Sequence, residues 1–191
     1  MSIPPDAVEA AHLIDRLDRL SRSGVPVAGL NPAQWEALRY LARANRFSRT
    51  PAALADYLGS TRGTVSQTLI TLAQKGFVSR EPSERDRRVV ELALTKRGVA
   101  ALRQDPILAL AEDVAQATGS EAAALVHALR ATLRGALVRN NGRPFGVCRT
   151  CRHFRRNATP DSRMPHRCNL LDEPLSEADE TGICVEQEPA A

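Results

Sequence analysis

The sequence predicts a mainly α-helical protein with one small β-hairpin, and two observations support this class. Apolar residues recur every three or four positions through most of the first 140 residues, as on one face of a helix. Aromatic residues make up only 4% of the 191 residues, which favours helices over a β-sandwich. With 43% apolar and 25% charged residues, the composition is that of a folded globular protein and excludes an intrinsically disordered chain.

Start and stop signals divide the first half of the chain into four helices. The first is expected over residues 6–20 and ends before a segment rich in glycine and proline. The second and third each begin at a polar cap followed by proline, at Asn31 and at Thr50. The third is short because Gly59 stops it. The close succession of the third and fourth helices predicts a tight turn between them.

The fourth helix has an apolar face and a polar face. It is expected to open at Ser60 or Thr61 and to end at Gly76. The side chains expected in the core are Val65, Leu69 and Leu72. The residues expected on or near the opposite side are Gly63, Thr64, Ser66, Gln67 and Ile70. A small, polar outer face of this kind leaves the helix free to contact a partner.

A hairpin with a charged tip follows the fourth helix. Residues 77–80 and 88–94 are expected to form strands, and the polar residues 81–87 connect them. Residues 60–97 carry 8 basic and 4 acidic side chains, a net charge of +4 out of the +5 carried by residues 1–140. A compact basic segment indicates a polyanion as partner.

Two longer helical stretches complete the first 140 residues. Thr95 caps one of them, and Asp105 followed by Pro106 is expected to restart or to kink it. Ser120 is expected to cap the last long helix, which carries leucines at four-residue spacing. Their apolar stripes suggest dimerisation, although the stripes could also pack on the rest of the monomer.

A short helix, a tight turn, a second helix with an outward polar face and a charged hairpin make a winged helix-turn-helix. In that geometry the second helix enters the major groove of DNA. Its polar side chains can bond base edges or phosphates, and arginines of the hairpin suit a narrow minor groove. The predicted DNA contacts are Thr61, Arg62, Gly63, Thr64, Ser66, Gln67, Arg85, Arg87 and Arg88.

Three segments stand in a specific order along this part of the chain. They are STRGTVSQTL at 60–69, LAQKGFVSR at 72–80, and DRR at 86–88 leading into LALTKRG at 92–98. With these segments the chain resembles the MarR family of bacterial transcription regulators over about residues 6–140. The resemblance implies a homodimer joined by the first, fifth and sixth helices. It also implies a regulator that releases double-stranded DNA on sensing a small molecule, an oxidant or a metal.

The resemblance assigns one further role and shows two departures. It implies that Asp86 forms a buried salt bridge that holds the wing, whereas an aspartate in a turn is otherwise ordinary. Gln67 stands where the family commonly has a basic residue. Pro106 falls where the family usually has one long helix, which leaves the local dimer geometry open.

A second module is expected over residues 141–191, where the composition changes to arginine, proline and cysteine, after a first domain at 1–140. All four cysteines of the chain lie in it: Cys148, Cys151, Cys168 and Cys184. In a protein expected to be cytoplasmic, such clustering argues for a metal before disulfides. Two residues between the first pair allow two thiolates to bind one metal centre.

The cysteine count fits a [4Fe-4S] cluster and one structural Zn²⁺ equally well. The first pair lacks the proline and glycine usual in a zinc knuckle. The spacing, with Phe154 after the first pair and Gly182 shortly before Cys184, is similar to the ligand pattern of high-potential iron-sulfur proteins. Free or disulfide-forming thiols are the third possibility. A cluster would make the tail a redox or iron sensor, and zinc would make it a structural clip.

These features together predict a dimeric, sequence-specific DNA-binding repressor whose cysteine tail is a sensor or a support. The alternatives are a redox protein with an electron-transfer cluster on a winged-helix scaffold, and a winged helix that binds protein only. No Ser/His/Asp set, phosphate loop or dinucleotide glycine pattern supports catalysis, so an enzyme is not expected. No apolar run approaches the roughly 20 residues that span a bilayer, so we expect a cytoplasmic protein without membrane contact.

Overall fold

The structure is a computed structural model that describes residues 2–23, 27–83, 87–161 and 163–190. Within these ranges the chain is mainly helical and carries small antiparallel sheets, which confirms the predicted fold class. A search of the same ranges finds no helix whose length and apolar character would let it cross a membrane.

The helices and strands of the described ranges follow one another in the predicted order up to residue 140. The helices are α1 (Pro5–Arg22), α2 (Pro32–Arg43), α3 (Pro51–Leu58), α4 (Arg62–Gln74), α5 (Lys96–Ala101), α6 (Ile107–Thr118), α7 (Ala122–Arg139) and α8 (Glu177–Thr181). The strands are β1 (Val78–Pro82), β2 (Val90–Leu94), β3 (Gly146–Val147), β4 (Phe154–Arg155), β5 (His166–Cys168), β6 (Glu173–Leu175) and β7 (Ile183–Cys184).

Polar caps fix the starts of the helices in the first half of the chain. The side chains of Asn31, Thr50, Thr61 and Thr95 each accept a hydrogen bond from the backbone N–H three residues further on. Each such bond satisfies a donor that the helix itself leaves open and contributes about 1 kcal/mol. Gly59 ends α3 in the left-handed conformation, at φ 59°. The predicted helix starts at these four positions are confirmed.

The core lies between α2, α3, α4 and the hairpin. Its fully buried side chains include Leu38, Leu54, Leu69, Leu72 and Leu92. Val65, which the sequence also predicts to be in the core, is buried there as well. Because α4 turns this apolar face inward, its opposite face is left toward solvent.

The first strand of the hairpin, β1, extends further than the sequence suggests, and the second strand, β2, starts later. The antiparallel register runs from Val78 opposite Leu94 to Pro82 opposite Val90. One further backbone bond, from the Ser83 N–H to the Val89 carbonyl at 2.8 Å, follows the last strand pair. The prediction of strands at 77–80 and 88–94 was therefore wrong at their ends, and Arg88 lies outside β2.

Asp105 restarts the chain as a new helix instead of kinking one helix. A 3₁₀ turn, Leu102–Gln104, ends the α5 segment, and the Asp105 carboxylate then accepts a hydrogen bond from the N–H of Ile107 at 3.0 Å. The same carboxylate is buried and receives the Arg39 guanidinium through both of its oxygens, at 2.6 to 3.1 Å. The long helix expected from the resemblance is thus two helices, α5 and α6.

The prediction that Ser120 caps the last long helix was wrong. Gly119 ends α6 at φ 50°, and a 3₁₀ turn, Gly119–Glu121, leads directly into α7. The residue before the first helical position is therefore Glu121, whose side chain makes no capping hydrogen bond.

The tail folds into two small sheets and one short helix. In one sheet β3 pairs with β7, and in the other β5 lies between β4 and β6. His166, at the start of β5, is buried; its Nδ1 accepts from the N–H of Asn157 and its Nε2 lies 3.3 Å from a Glu180 oxygen. Ser176 and Asp179 form a capping box at the start of α8.

The tail packs against residues 44–49, the segment between α2 and α3 that we call the α2–α3 corner. The Asn45 N–H donates to the Ile183 carbonyl at 2.9 Å, and Ile183 is buried in the core of the first 140 residues. Arg46 bonds the Pro174 carbonyl and lies 3.6 Å from Glu173. The division into domains at residue 140 stays a prediction, with a continuous apolar contact across it.

Candidate nucleic-acid interface and cysteine cluster

The first two turns of α4 carry six of the predicted DNA contacts. Thr61 lies at the N-cap, and its hydroxyl is 2.9 Å from the hydroxyl of Thr64. Arg62 is 71% exposed at the side chain, and Gly63 and Gln67 are also exposed. A Cβ at Gly63 would meet only the Thr61 hydroxyl, at 3.9 Å, so the helix surface is open there. The sixth residue, Ser66, is half-buried.

The inner face and the C-terminal end of α4 hold this surface in place. Val65, Leu69 and Leu72 are buried on the inner face, so the helix cannot rotate without exposing them. At the other end, the Lys75 ammonium donates to the Gly29 carbonyl at 2.7 Å and to Gln34 at 3.1 Å. The helix thus presents its polar N-terminal turns as a fixed surface.

Two predicted wing contacts lie on the hairpin turn and two predicted residues lie outside the described ranges. Arg87 and Arg88 are exposed in the turn that precedes β2. Arg85 and Asp86 fall within residues 84–86, outside the described residues, so the predicted wing salt bridge stays a prediction. The Arg97 guanidinium, also part of the basic segment, lies 4.5 Å from the centroid of the Phe77 ring at the base of the hairpin.

Asp56 on α3 contacts one of the predicted DNA-binding residues, a contact that the sequence analysis missed. One of its oxygens lies 4.0 Å from the Arg62 guanidinium, and the other lies 3.8 Å from Arg143 of the tail. Both arginines are exposed, so these ion pairs contribute little stability. They do place a tail residue beside the start of α4. No local sequence pattern links Asp56 to a residue so far along the chain.

The tail brings the four cysteines into one small region. Gly146 pairs with Cys184 across β3 and β7, which sets Cys148 beside Cys184. Phe154 pairs with Cys168 across β4 and β5, three residues after Cys151. All four cysteines are free thiols; Cys148 and Cys184 are buried, and the other two are half-buried. Within the described residues, no three His, Cys, Asp or Glu side chains are already arranged to hold a metal ion.

Strand pairing sets Cys148 near Cys184, and each thiol shifts the pKa of the other. The Cys148 thiol is the largest cause that lowers the pKa of Cys184 to about 6, against the opposing effect of burial. The Cys184 thiol, together with burial, raises the pKa of Cys148. Cys168 lies close enough to raise the pKa of Cys148 further by electrostatic repulsion.

Two polar residues of the α2–α3 corner lie beside this pair. The Asn45 amide donates from Nδ2 to the Cys148 sulfur at 3.3 Å, and Asn45 also lowers the pKa of Cys184. Ser48 also lowers the pKa of Cys184, and its hydroxyl oxygen accepts the Val185 N–H at 2.9 Å. Both residues are buried. The sequence analysis missed them because a polar residue just after a helix has an ordinary explanation as a cap.

The order α2, α3, α4, β1 and β2, with an exposed polar helix and an arginine-bearing turn, defines a winged helix-turn-helix. Residues 28–89 match the MarR family model. The transcriptional repressor MprA of Escherichia coli strain K12 is 29% identical to this chain over 93 residues. That alignment covers 49% of this chain and 53% of the repressor, so the chain spans about half the length of the curated relatives it matches.

Solved structures of MarR from E. coli have the same fold. The wild-type apo form is 27% identical with a TM-score of 0.51, covering 72% of this chain and 99% of that chain. A cysteine-to-serine mutant complexed with operator DNA is 26% identical with a TM-score of 0.50, covering 70% and 94%. The comparisons together show that this chain is similar to winged-helix regulators of the MarR family. The family match ends at residue 89, before the cysteine tail.

Proposed function

We propose that this chain is a dimeric DNA-binding transcription regulator of the MarR type that acts as a repressor. The observation that carries the proposal is the polar N-terminal surface of α4, fixed from behind by the buried Val65, Leu69 and Leu72 and flanked by the arginines of the hairpin turn. Two matches add support, because MprA is named a repressor and the MarR mutant was solved in complex with operator DNA.

The proposed interface assigns different tasks to α4 and to the wing. Arg62 and the free N–H groups of the first turn of α4 contact phosphates, since a helix N-terminus favours anions. The absent side chain at Gly63 lets the backbone approach the groove. Gln67 reads base edges from the exposed face. Arg87 and Arg88 enter the adjacent minor groove, where the potential is most negative.

Dimerisation is supported by three long helices that bury nothing in the monomer. Of the described residues of α1, α6 and α7, none is buried. Their large exposed apolar side chains include Leu13, Ile14, Leu17, Leu20, Ile107, Leu108, Val126, Leu129 and Leu133. An amphipathic helix of this kind is stable only when its apolar face is covered. A second copy covers these faces, with α6 and α7 replacing the fifth and sixth helices that the resemblance implies.

One experiment tests DNA binding and dimerisation together. A gel shift with duplex DNA from the region upstream of the chain's own coding sequence, at several salt concentrations, is expected to show a salt-dependent complex. The protected site is expected to contain two half-sites about 10 base pairs apart, because two recognition helices related by a twofold axis must both reach major grooves. A monomer in light scattering at micromolar concentration contradicts the dimer.

We further propose that Cys148, Cys151, Cys168 and Cys184 bind one metal centre, a [4Fe-4S] cluster or alternatively one structural Zn²⁺. The strand pairing of Gly146 with Cys184, which sets Cys148 near Cys184, supports this. The strand pairing that brings Cys168 close to Cys151 supports it as well. A cluster would supply redox or iron sensing, and zinc would supply structural support.

A cleft, whose apolar wall shares Leu13, Leu17 and Leu129 with the faces proposed for dimerisation, supports the proposal that a small apolar effector binds the regulator. The cleft has a volume of about 860 Å³ and lies between α1, α2, α6 and α7. Trp35, the single tryptophan of the chain, lines it, and the indole N–H is buried without a hydrogen-bond partner. Tryptophan fluorescence therefore reports effector binding. The effector is expected to shift the emission of wild-type protein and to release its DNA, whereas an unchanged Kd for DNA contradicts the proposal.

The remaining candidates are an electron-transfer protein on a winged-helix scaffold and a winged helix that binds protein only. Both alternatives predict that no duplex DNA is shifted in the gel, even at low salt. A complex whose affinity falls with salt excludes both, because that dependence reports the release of counterions from phosphates.

A further inference from the structure

We propose that Arg143, the first arginine of the tail, binds a DNA phosphate beside the start of α4, so that the tail extends the DNA-binding surface of the winged helix. The inference rests on the proposed DNA-binding function and deepens it, because it assigns a contact outside α4 and the hairpin. The cysteines of the tail and a metal play no part in it.

The chain returns to α3 directly after α7. The Gly142 N–H donates to the Leu137 carbonyl at 2.8 Å, which closes the C-terminal end of α7. Phe145 then packs edge-on against Tyr57 of α3, with the ring centroids 5.1 Å apart, and its ring centroid lies 6.2 Å from that of Tyr40. Aromatic pairs in this geometry are favourable beyond the area that they bury. The segment around Phe145 is therefore held on α3, against the core of the winged helix.

Arg143, two residues before this aromatic contact, lies between α3 and α4. Its Nη1 is 3.8 Å from one Asp56 oxygen, and the Arg62 guanidinium is 4.0 Å from the other. Asp56 directly precedes Tyr57 near the C-terminal end of α3, and Arg62 is the first residue of α4. The tail thus sets a second cation next to a predicted DNA contact.

The guanidinium of Arg143 is available to a phosphate. Its Nη2 donates to Glu186 at 2.9 Å, but the distances from Asp56 to Arg143 and to Arg62 both exceed the length of a hydrogen bond. All four side chains are at least one-third exposed, and ion pairs between exposed groups are weak. Because a guanidinium carries five N–H donors, Arg143 can keep Glu186 and offer Nη1 to a phosphate.

The end of α3 lies at the DNA backbone in this fold. The second helix of a helix-turn-helix enters the major groove, while the first, here α3, crosses the backbone. A cation beside α3 therefore meets phosphates and not base edges. Such contacts fix the register of the protein on the duplex and carry no sequence information. Arg143 is thus expected to raise the affinity for all duplexes, in contrast to Gln67.

The test compares full-length wild type and Arg143→Gln on the duplex from upstream of the coding sequence. Kd is measured by fluorescence anisotropy between about 50 and 200 mM salt, the range over which phosphate contacts weaken strongly. Each lost phosphate contact lowers the slope of log K against log salt by about 0.9, so a dimer loses about 1.8. The ratio of the two Kd values is then expected to narrow by about tenfold from the lowest to the highest salt. An unchanged slope overturns the proposal.

Ethylation interference identifies the phosphate directly. In each half-site, one backbone position is expected to weaken binding of the wild type when its phosphate is ethylated, and to have no such effect on Arg143→Gln. An interference pattern that is identical for the two proteins overturns the contact.

Asp56→Asn distinguishes a phosphate contact from the neutralisation of Asp56. If Arg143 acted only by screening that carboxylate, Arg143→Gln would change nothing in the Asp56→Asn background. The proposal expects the same loss of slope in that background, because the two side chains then act independently. A loss that disappears there overturns the contact.

Arg163→Gln is the matched control, because it removes the same charge from an exposed arginine whose ion pair with Asp161 lies within the tail. Its slope is expected to equal that of the wild type, and an equal loss in both variants overturns the assignment to Arg143. Arg143→Lys keeps the charge and is expected to keep most of the slope, since lysine also binds phosphate. A folded Arg143→Lys that loses as much slope as Arg143→Gln contradicts the contact. Absence of salt-dependent binding by the wild type contradicts the proposed function instead, so the two failures are distinguishable.

Discussion

The winged helix and the cysteine tail are stabilised by different means. The winged helix buries apolar side chains from three helices and both hairpin strands in one core. In the described residues of the tail, 143–161 and 163–190, the buried apolar side chains other than cysteine are Leu175 and Ile183. Ile183 belongs to the core of the winged helix, so the tail has Leu175 as the centre of its own small fold.

Polar contacts replace apolar burial in the tail. Arg156 bonds Glu180, Arg167 lies 2.5 Å from Asp172, and the capping box of α8 adds two backbone bonds. Exposed ion pairs contribute about 0 to 1 kcal/mol each, which does not offset the entropy of ordering nearly 50 residues. The contrast indicates that the tail needs a bound metal and the α2–α3 corner, whereas the winged helix folds on its apolar core.

The largest expected effect is the loss of the tail fold on removing one metal ligand. Cys168→Ser is expected to release the centre and to make residues 141–191 sensitive to protease, while residues 6–140 remain folded. Limited proteolysis with mass spectrometry measures both regions in one sample. Anaerobically purified wild-type protein is expected to be brown, with iron and sulfide near four each per chain.

A different metal content of the purified protein would assign the tail a different means of stabilisation. A colourless preparation with about one zinc ion per chain supports a structural clip instead of a cluster. A preparation without any metal, and with a tail that resists protease, contradicts both metal hypotheses and shows that the polar contacts suffice.

The next largest effect is expected in the core of the winged helix. Leu69→Ala, at a side chain that is fully buried, is expected to lower the free energy of unfolding by about 2 to 5 kcal/mol. The matched variant is Leu175→Ala in the tail, which is expected to leave the main unfolding transition in place. Denaturant titration followed by circular dichroism measures both. Equal losses in the main transition would mean that the two regions unfold as one unit.

Local signals explain why so much of the winged helix was predictable. Caps at Asn31, Thr50, Thr61 and Thr95 act within three residues, and the apolar face of α4 follows from helical spacing alone. Ser120 misled the prediction because a serine near a helix start is a weak signal, and the left-handed turn at Gly119 decided the geometry.

The docking of the tail could not be predicted from local signals. Asn45 and Cys148 are 103 residues apart, and each has an ordinary explanation on its own, as a cap and as a ligand. The same holds for the bond from Leu92 to Arg49, which joins the hairpin to the α2–α3 corner. Such contacts depend on the packed core, which brings these distant segments together.

A smaller effect is expected from adding one methyl group at the contact between the tail and the winged helix. Gly182→Ala places a Cβ 2.9 to 3.0 Å from Asn45, and overpacking of this kind costs about 1 to 3 kcal/mol. Its backbone, at φ −71° and ψ 141°, suits alanine, so the cost arises from the contact alone. Hydrogen exchange is expected to rise in the tail and not in α4.

Gly135→Ala is the control for this variant, because a Cβ there meets nothing within 4 Å in the monomer. It is expected to leave exchange in the tail unchanged. An unchanged tail in Gly182→Ala as well would show that the contact with Asn45 does not hold the tail in place.

The smallest changes concern how α4 and the wing divide the recognition of DNA. Arg87 and Arg88 are exposed on the hairpin turn, so the double alanine variant is expected to weaken binding to most sequences. The salt slope is expected to fall by roughly one unit for each phosphate that no longer binds an arginine. Gln67→Ala is expected to relax base preference by about 1 to 3 kcal/mol, with little change in slope. Titrations with matched and mutated duplexes at several salt concentrations separate the two effects, and equal affinity of wild type and double variant at about 150 mM salt contradicts the wing's role.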